Sequence, residues 1–373
     1  MRRALLLLAL VLGLIPIAAI PAAAHGAGGV EATSYVGSVG GITPALPGAR
    51  LRVVEPGPRL ELRNDGPEVI VLGERGEPYL RVGPEGTFEN RRSPDADRNR
   101  SPEHYRAPGP SDPGAPPDWR KLGNGPVVRW HDHRLHWVGV DPPQVTARPG
   151  LRQDVLNPST LALRRGAETA TATVRLAWVP GPSPAPWLAL GAVAFFAVAA
   201  LGLLRRWRGP LIVAIGLLLA VDLLHAAAAA FATVGGLGSH LARVVTGDFY
   251  AIVGWLLAAT ALRLLARGRL DGLYAAVFAG LSICLFGGVL DLAVLSRSAT
   301  LFVLPVEVAR ACIALAAGGG AGLVVACVLV IRRTPEARVV LGGPDTSDLE
   351  VGGPVPSAPP GRSGRAGPNR GLR

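Results

Sequence analysis

Residues 180–204 read PGPSPAPWLALGAVAFFAVAALGLL, a proline-rich stretch that opens directly into an uninterrupted apolar run. The prolines make residues 181–186 a short, stiff linker, and Trp187 stands where an interfacial aromatic begins a membrane span. This junction divides the 373-residue chain into two kinds of material. Residues 25–180 alternate apolar and polar side chains between turn formers, as a water-exposed β domain does, whereas residues 187–331 carry long apolar segments broken by arginine-rich loops. The expected fold class is an all-β, sandwich-like extracytoplasmic domain followed by an α-helical transmembrane bundle.

Working outward towards the carboxy terminus, five spans are expected, near Trp187–Leu204, Leu211–Thr233, Tyr250–Leu265, Leu273–Leu295 and Val303–Ile331. Arg205, Arg206 and Arg208 follow the first, Arg263, Arg267 and Arg269 the third, and Arg332 and Arg333 the fifth, while the alternate loops hold only Arg243 and Arg297. The positive-inside rule therefore places the carboxy terminus in the cytoplasm and the β domain outside a plasma membrane. Ionisable residues within spans are costly in hydrocarbon and point to function by default. Here they are Asp222, His225, Asp291, Glu307 and Arg310. Asp222 and His225 are three apart on one helix face, so they can form a proton or metal relay or simply pair with each other, as Glu307 can with Arg310. The run Ala316 to Gly322 consists only of alanine and glycine, which permits close helix packing. Residues 332–373, rich in Gly, Pro, Arg and Ser, read as a disordered tail whose Arg362, Arg365, Arg370 and Arg373 can touch anionic lipid.

Towards the amino terminus, Arg2 and Arg3, an apolar run from Ala4 to Ile20 and the small residues Ala22 to Ala24 read as a signal peptide over residues 1–24. The alternative is an uncleaved anchor. Cleavage after Ala24 would leave His25 first, with its α-amine and ring able to chelate one metal ion together.

Short alternating runs at Leu51–Val54, Leu60–Arg63 and Val69–Leu72, and later at Val127–Val140 and Thr169–Trp178, predict a sandwich of about seven strands. Residues 89–118 are polar and proline-rich and read as a long surface excursion bearing His104 and Tyr105. Trp130-His131-Asp132-His133-Arg134-Leu135-His136-Trp137 is the densest stretch of chemistry. If it is a strand, His131 and His133 share one face while Asp132, Arg134 and His136 share the other. Two neutral imidazoles with His25, His136 or Asp132 would suit Cu(II), the favoured ion, or Zn(II). A buried hydrogen-bonded network of His, Asp and Arg anchored by Trp130 and Trp137 is the competing reading, and acid–base use is a third.

Glu77-Pro78-Tyr79-Leu80-Arg81, Glu89-Asn90-Arg91-Arg92-Ser93-Pro94 and the Trp130–Trp137 stretch resemble a family of exported membrane proteins of actinobacteria to which no reaction is assigned. That resemblance covers most of residues 50–180. The layout with His25 is more loosely similar to copper-resistance proteins, in which a periplasmic β-sandwich starting with His is fused to a polytopic partner. The residues after His25 and the ligand spacing depart from that pattern.

Several classes are excluded or disfavoured. The formal charge of +11 comes largely from arginines that flank spans or lie in the tail, so no nucleic-acid partner is expected. Met1 is the only methionine, and Cys284, Cys312 and Cys327 all lie in apolar segments, which rules out a thioether or thiolate site in the β domain. No nucleophile motif, phosphate loop or H-E-x-x-H is present, so an enzyme, with Asp132 and the histidines or the intramembrane Asp222 and His225 as acid and base, stays an open third class without a visible partner nucleophile. Ahead of it stand an envelope protein of the lipid bilayer that handles a divalent metal, and a binding and scaffolding protein for another envelope protein.

Overall fold

The computed structural model describes residues 32–54, 59–99, 113–137, 139–247 and 249–336. The signal segment, His25, His104, Tyr105 and nearly all of the tail lie outside them.

The amino-terminal half is antiparallel β. Its strands are β1 (Ala32–Thr33), β2 (Tyr35–Val39), β3 (Ala49–Val53), β4 (Arg59–Asn64), β5 (Val69–Leu72), β6 (Pro78–Gly83), β7 (Gly86–Asn90), β8 (Trp119–Gly123), β9 (Val127–His131), β10 (Gln153–Asp154), β11 (Ser159–Arg165) and β12 (Glu168–Trp178). One sheet runs β10-β12-β11-β5-β6-β7-β8, with β2 also paired to β12, and the second runs β3-β4-β9. Leu60, Leu62, Val128 and Trp130 of the smaller sheet share a core with Val69, Val71, Tyr79, Leu80, Leu161 and Leu163 of the larger. Period-two patterning delivers Leu60, Leu62, Val128 and Trp130 to one face of the smaller sheet and Val69, Val71, Leu161 and Leu163 to one face of the larger, while the adjacent Tyr79 and Leu80 are buried on both faces of β6.

Two expectations are corrected. Residues 89–98 are not a surface excursion: β7 runs to Asn90, and a five-residue helix α1 (Pro94–Arg98) buries Pro94, Asp95 and Ala96. Low apolar content does not prevent burial where hydroxyl and carboxyl groups find partners, as those of Ser93 and Asp95 do. The alternation that reads as strand from Val127 to Val140 stops at His131 and gives way to a 3-10 turn, His133–Leu135. A second short helix, α2 (Pro143–Ala147), follows.

The carboxy-terminal half is helical: α3 (Ala185–Leu201), α4 (Arg208–Ala232), α5 (Leu237–Gly247), α6 (Phe249–Ala266), α7 (Gly272–Phe286) continued by a 3-10 segment (Val289–Ser296), and α8 (Val306–Arg333). Four of these, counting α7 with its continuation, are long and apolar enough to cross a membrane, and α3 is a shorter apolar helix of 17 residues. Val193, Phe196, Val213, Leu217 and Leu256 remain exposed, as lipid-facing side chains do. The glycine run of α8 explains its central place. A Cβ at Gly318 would overlap the carbonyl of Gly191 on α3, one at Gly320 would meet Gly280 and Cys284 on α7, and one at Gly319 would meet Leu218 on α4. Helix α5 was not foreseen; its Leu237, Leu241 and Val245 recur every fourth residue and are exposed.

The two halves touch at a second point besides the linker. β1 pairs antiparallel with β13 (Ala299–Thr300), which follows the 3-10 segment. Ala32 packs with Val294, Leu295, Ala309 and Ile313.

Candidate functional site

The chain leaves strand geometry after His131 because the Asp132 side chain accepts the backbone N–H of Arg134 at 3.1 Å, capping the 3-10 turn. The same carboxylate is gripped by the Arg134 guanidinium, with Nε at 2.7 Å from Oδ1 and Nη2 at 2.6 Å from Oδ2, and it accepts the Trp130 indole N–H at 2.9 Å. Burial pushes the Asp132 carboxyl up, but Arg134 and Trp130 more than offset this and hold it below the usual carboxylate range. Asp132 is fully buried and each of its oxygens accepts two hydrogen bonds.

His133 turns the other way. Its backbone N–H reaches Asn99 Oδ1 at 3.1 Å, its Nδ1 lies 2.9 Å from the same oxygen, and its Nε2 lies 2.8 Å from Glu74 Oε1. The His133 ring holds the Glu74 carboxyl below its ordinary range, with Arg98 adding to the effect. The motifs singled out from sequence meet here. Ser93 Oγ donates to Glu77 Oε1 at 2.8 Å and caps α1 by accepting from Asp95 N, while Asp95 Oδ2 accepts from Glu74 N at 3.1 Å. Asn90 Nδ2 donates to Pro78 O at 2.7 Å. Asp95 is pushed up by burial and, further, by neighbouring Glu77. The sequence reading missed Glu74, Asp95 and Asn99; the capping pattern Ser93-Pro94-Asp95 was the available signal.

His131 and His133 are therefore not a pair. The 3-10 turn folds His136 back instead, bringing its Nδ1 to 2.8 Å from His131 Nε2, with ring centroids 5.0 Å apart. Burial, the nearby His136 and Arg59 push the His131 ring down to about 4, so it is neutral near pH 7. His25, named as a further ligand, lies outside the described residues. Among those residues, no group of three or more His, Cys, Asp or Glu side chains could hold a metal ion.

In the membrane half, Asp222 and His225 do not pair with each other. His225 Nε2 lies 3.0 Å from Asp291 Oδ2, and the Trp255 indole donates to Asp222 Oδ2 at 2.6 Å. Helices place polar groups beside neighbouring elements as readily as beside their own next turn, and both partners here are more distant in sequence. Glu307 and Arg310 do approach, at 3.6 Å, but Arg310 also donates to the carbonyls of Val294 at 3.3 Å and Arg297 at 2.8 Å.

Compared with protein families, with curated proteins and with solved structures, the chain matches none. The fold defines it as a membrane protein, an antiparallel β domain joined to a bundle of apolar helices.

Proposed function

We infer that the protein handles a divalent metal ion at the cell envelope, copper(II) in preference to zinc(II), with the β domain outside the membrane and the carboxy terminus in the cytoplasm. The observation that supports this reading is the 2.8 Å separation of His131 Nε2 and His136 Nδ1. Two imidazole nitrogens bound at right angles to one ion, each at about 2.0 Å, are about 2.8 Å apart, whereas tetrahedral ligands are about 3.3 Å apart. The contact therefore fits a tetragonal copper(II) edge better than a zinc site. The ion would replace the proton the two nitrogens share, and water or the amine and ring of His25 would complete its coordination. Asp132 and His133 take no part, because their lone pairs and ring nitrogens are already engaged.

The test is Cu(II) titration of the purified full chain in detergent, followed by electron paramagnetic resonance for nitrogen coupling. One equivalent should bind, be lost in His131→Ala and in His136→Ala, and persist in His133→Ala. Absence of binding by the folded wild type, or binding indifferent to both imidazoles, would end this reading.

A second reading has its own support. The saturated Asp132–Arg134 pair and the His133–Asn99–Glu74 clamp favour a non-enzymatic binding or scaffolding domain for another envelope protein, with the histidine run serving structure. It predicts no metal binding, and loss of folding in Asp132→Ala but not in His136→Ala.

A further inference from the structure

The third long membrane segment is not a continuous helix. α7 stops at Phe286, Gly287 and Gly288 follow, and the chain resumes as the 3-10 segment that carries buried Asp291. Non-helical backbone at membrane depth is tolerated where it is buried in protein or lines a water-filled cavity, and in transporters such breaks form polar binding sites. Gly287 makes room for one: a Cβ there would coincide with Asp222 Oδ1, and one at Gly288 would run into the backbone of Ala317 on α8. The break thus faces Asp222, which is held from behind by the Trp255 indole of α6.

His225 completes the group. A contact of 3.0 Å between His225 Nε2 and Asp291 Oδ2 requires a proton on one of those two atoms. The other ring nitrogen, Nδ1, is buried without a hydrogen-bond partner among the described residues, on a side chain only 6 % exposed. With that proton on Nε2, the ring offers at Nδ1 a basic position that the described residues leave unfilled; with it on Asp291, Nδ1 carries the ring's own proton. Asp222 and Asp291 are within electrostatic reach of each other and both are buried, so two carboxyl groups and one imidazole share a single dry site. Of the other ionisable groups nearby, Cys312 of α8 is within electrostatic reach of Asp222, while Arg310 donates to Val294 and Arg297 and lies near Glu307.

We propose that Asp222, His225 and Asp291 form a proton-binding site inside the membrane half, built at the Gly287–Gly288 break. The ligand is the proton itself, shared between the carboxyl groups and the imidazole. Its uptake lowers the repulsion between α4 and the 3-10 segment, so occupancy and the geometry of the break vary together. This site is independent of the metal reading above and stands or falls separately.

The test is infrared spectroscopy of the full chain in lipid nanodiscs, titrated with pH in light and heavy water. A deuterium-sensitive carboxylic-acid band should persist above about pH 5, where water-exposed Asp and Glu have lost their protons. It should weaken in Asp222→Asn and in Asp291→Asn and lose this contribution in the double variant. His225→Gln should shift its titration midpoint. Asp95, also buried and pushed up, is the control whose band survives in the double variant and disappears in Asp95→Asn. Asp222→Asn keeps an oxygen for the Trp255 indole, so it carries the assignment if Asp291→Asn fails to fold. A wild type without such a band, or a band unchanged by Asp222→Asn and His225→Gln, overturns the proposal.

Discussion

Ser93 Oγ donates to Glu77 Oε1 at 2.8 Å in a place where Ser93 is wholly buried and Glu77 is 3 % exposed. One hydroxyl thereby joins the residue preceding β6 to the cap of α1 and gives a buried carboxyl group a donor. Ser93→Ala removes that donor and the helix cap together. A loss of about 1–3 kcal/mol is expected, measured as a lowered urea midpoint of the β-domain signal in the full chain.

Arg134 grips Asp132 with two prongs in a dry setting. Arg134→Met leaves a charged carboxylate without its partner, at a cost of about 3–5 kcal/mol. Replacing Asp132 with Leu in the same chain should restore much of this, because the pair's desolvation is removed with it. A double-mutant cycle in chemical denaturation measures the coupling.

His131 titrates at about 4 when folded against an ordinary 6.5. The unfolded chain therefore takes up the proton first as pH falls. The stability that His131 contributes is full above about 6.5 and is lost as pH drops towards about 4. Glu61, Glu74 and Asp132, whose folded values are also depressed, add their losses only below their ordinary 4.5, 4.5 and 3.8. Thermal melts across this range should show a slope between pH 6.5 and 4.5 that flattens in His131→Gln.

Gly287→Ala should destabilise the helical half by about 1–3 kcal/mol, because the new methyl meets Asp222 in a packed site. Gly216→Ala on α4 is the counterpart, with nothing within 4 Å of its added carbon. It should be neutral or stabilising by up to about 1 kcal/mol through helix propensity alone. Thermal inactivation of both variants in detergent gives the contrast.

Periodicity made much of this architecture legible. Leu60, Leu62, Val69 and Val71 announced their strands because burial on one face needs no distant information, and the apolar segments after Trp187 announced helices by length. Partnerships across the chain were not legible. His131 finds His136 because Asp132 turns the backbone, Ser93 finds Glu77 across 16 residues, and His225 finds Asp291 across 66. Each depends on a cap, a strand pairing or a helix break that local alternation does not encode. The buried polar stretch around α1 misled for the same reason: its composition resembles a loop until its partners are in place.

The pairing of β1 with β13 gives the β domain a second tether. With one linker alone it could swivel freely; with two it cannot rotate without dragging the other attachment. That attachment lies only eight residues beyond Asp291 and is braced by Arg310 on the carbonyls of Val294 and Arg297. A torque applied to the β domain is therefore delivered to the broken span as to the short arm of a lever. The β domain and the broken span are mechanically one object.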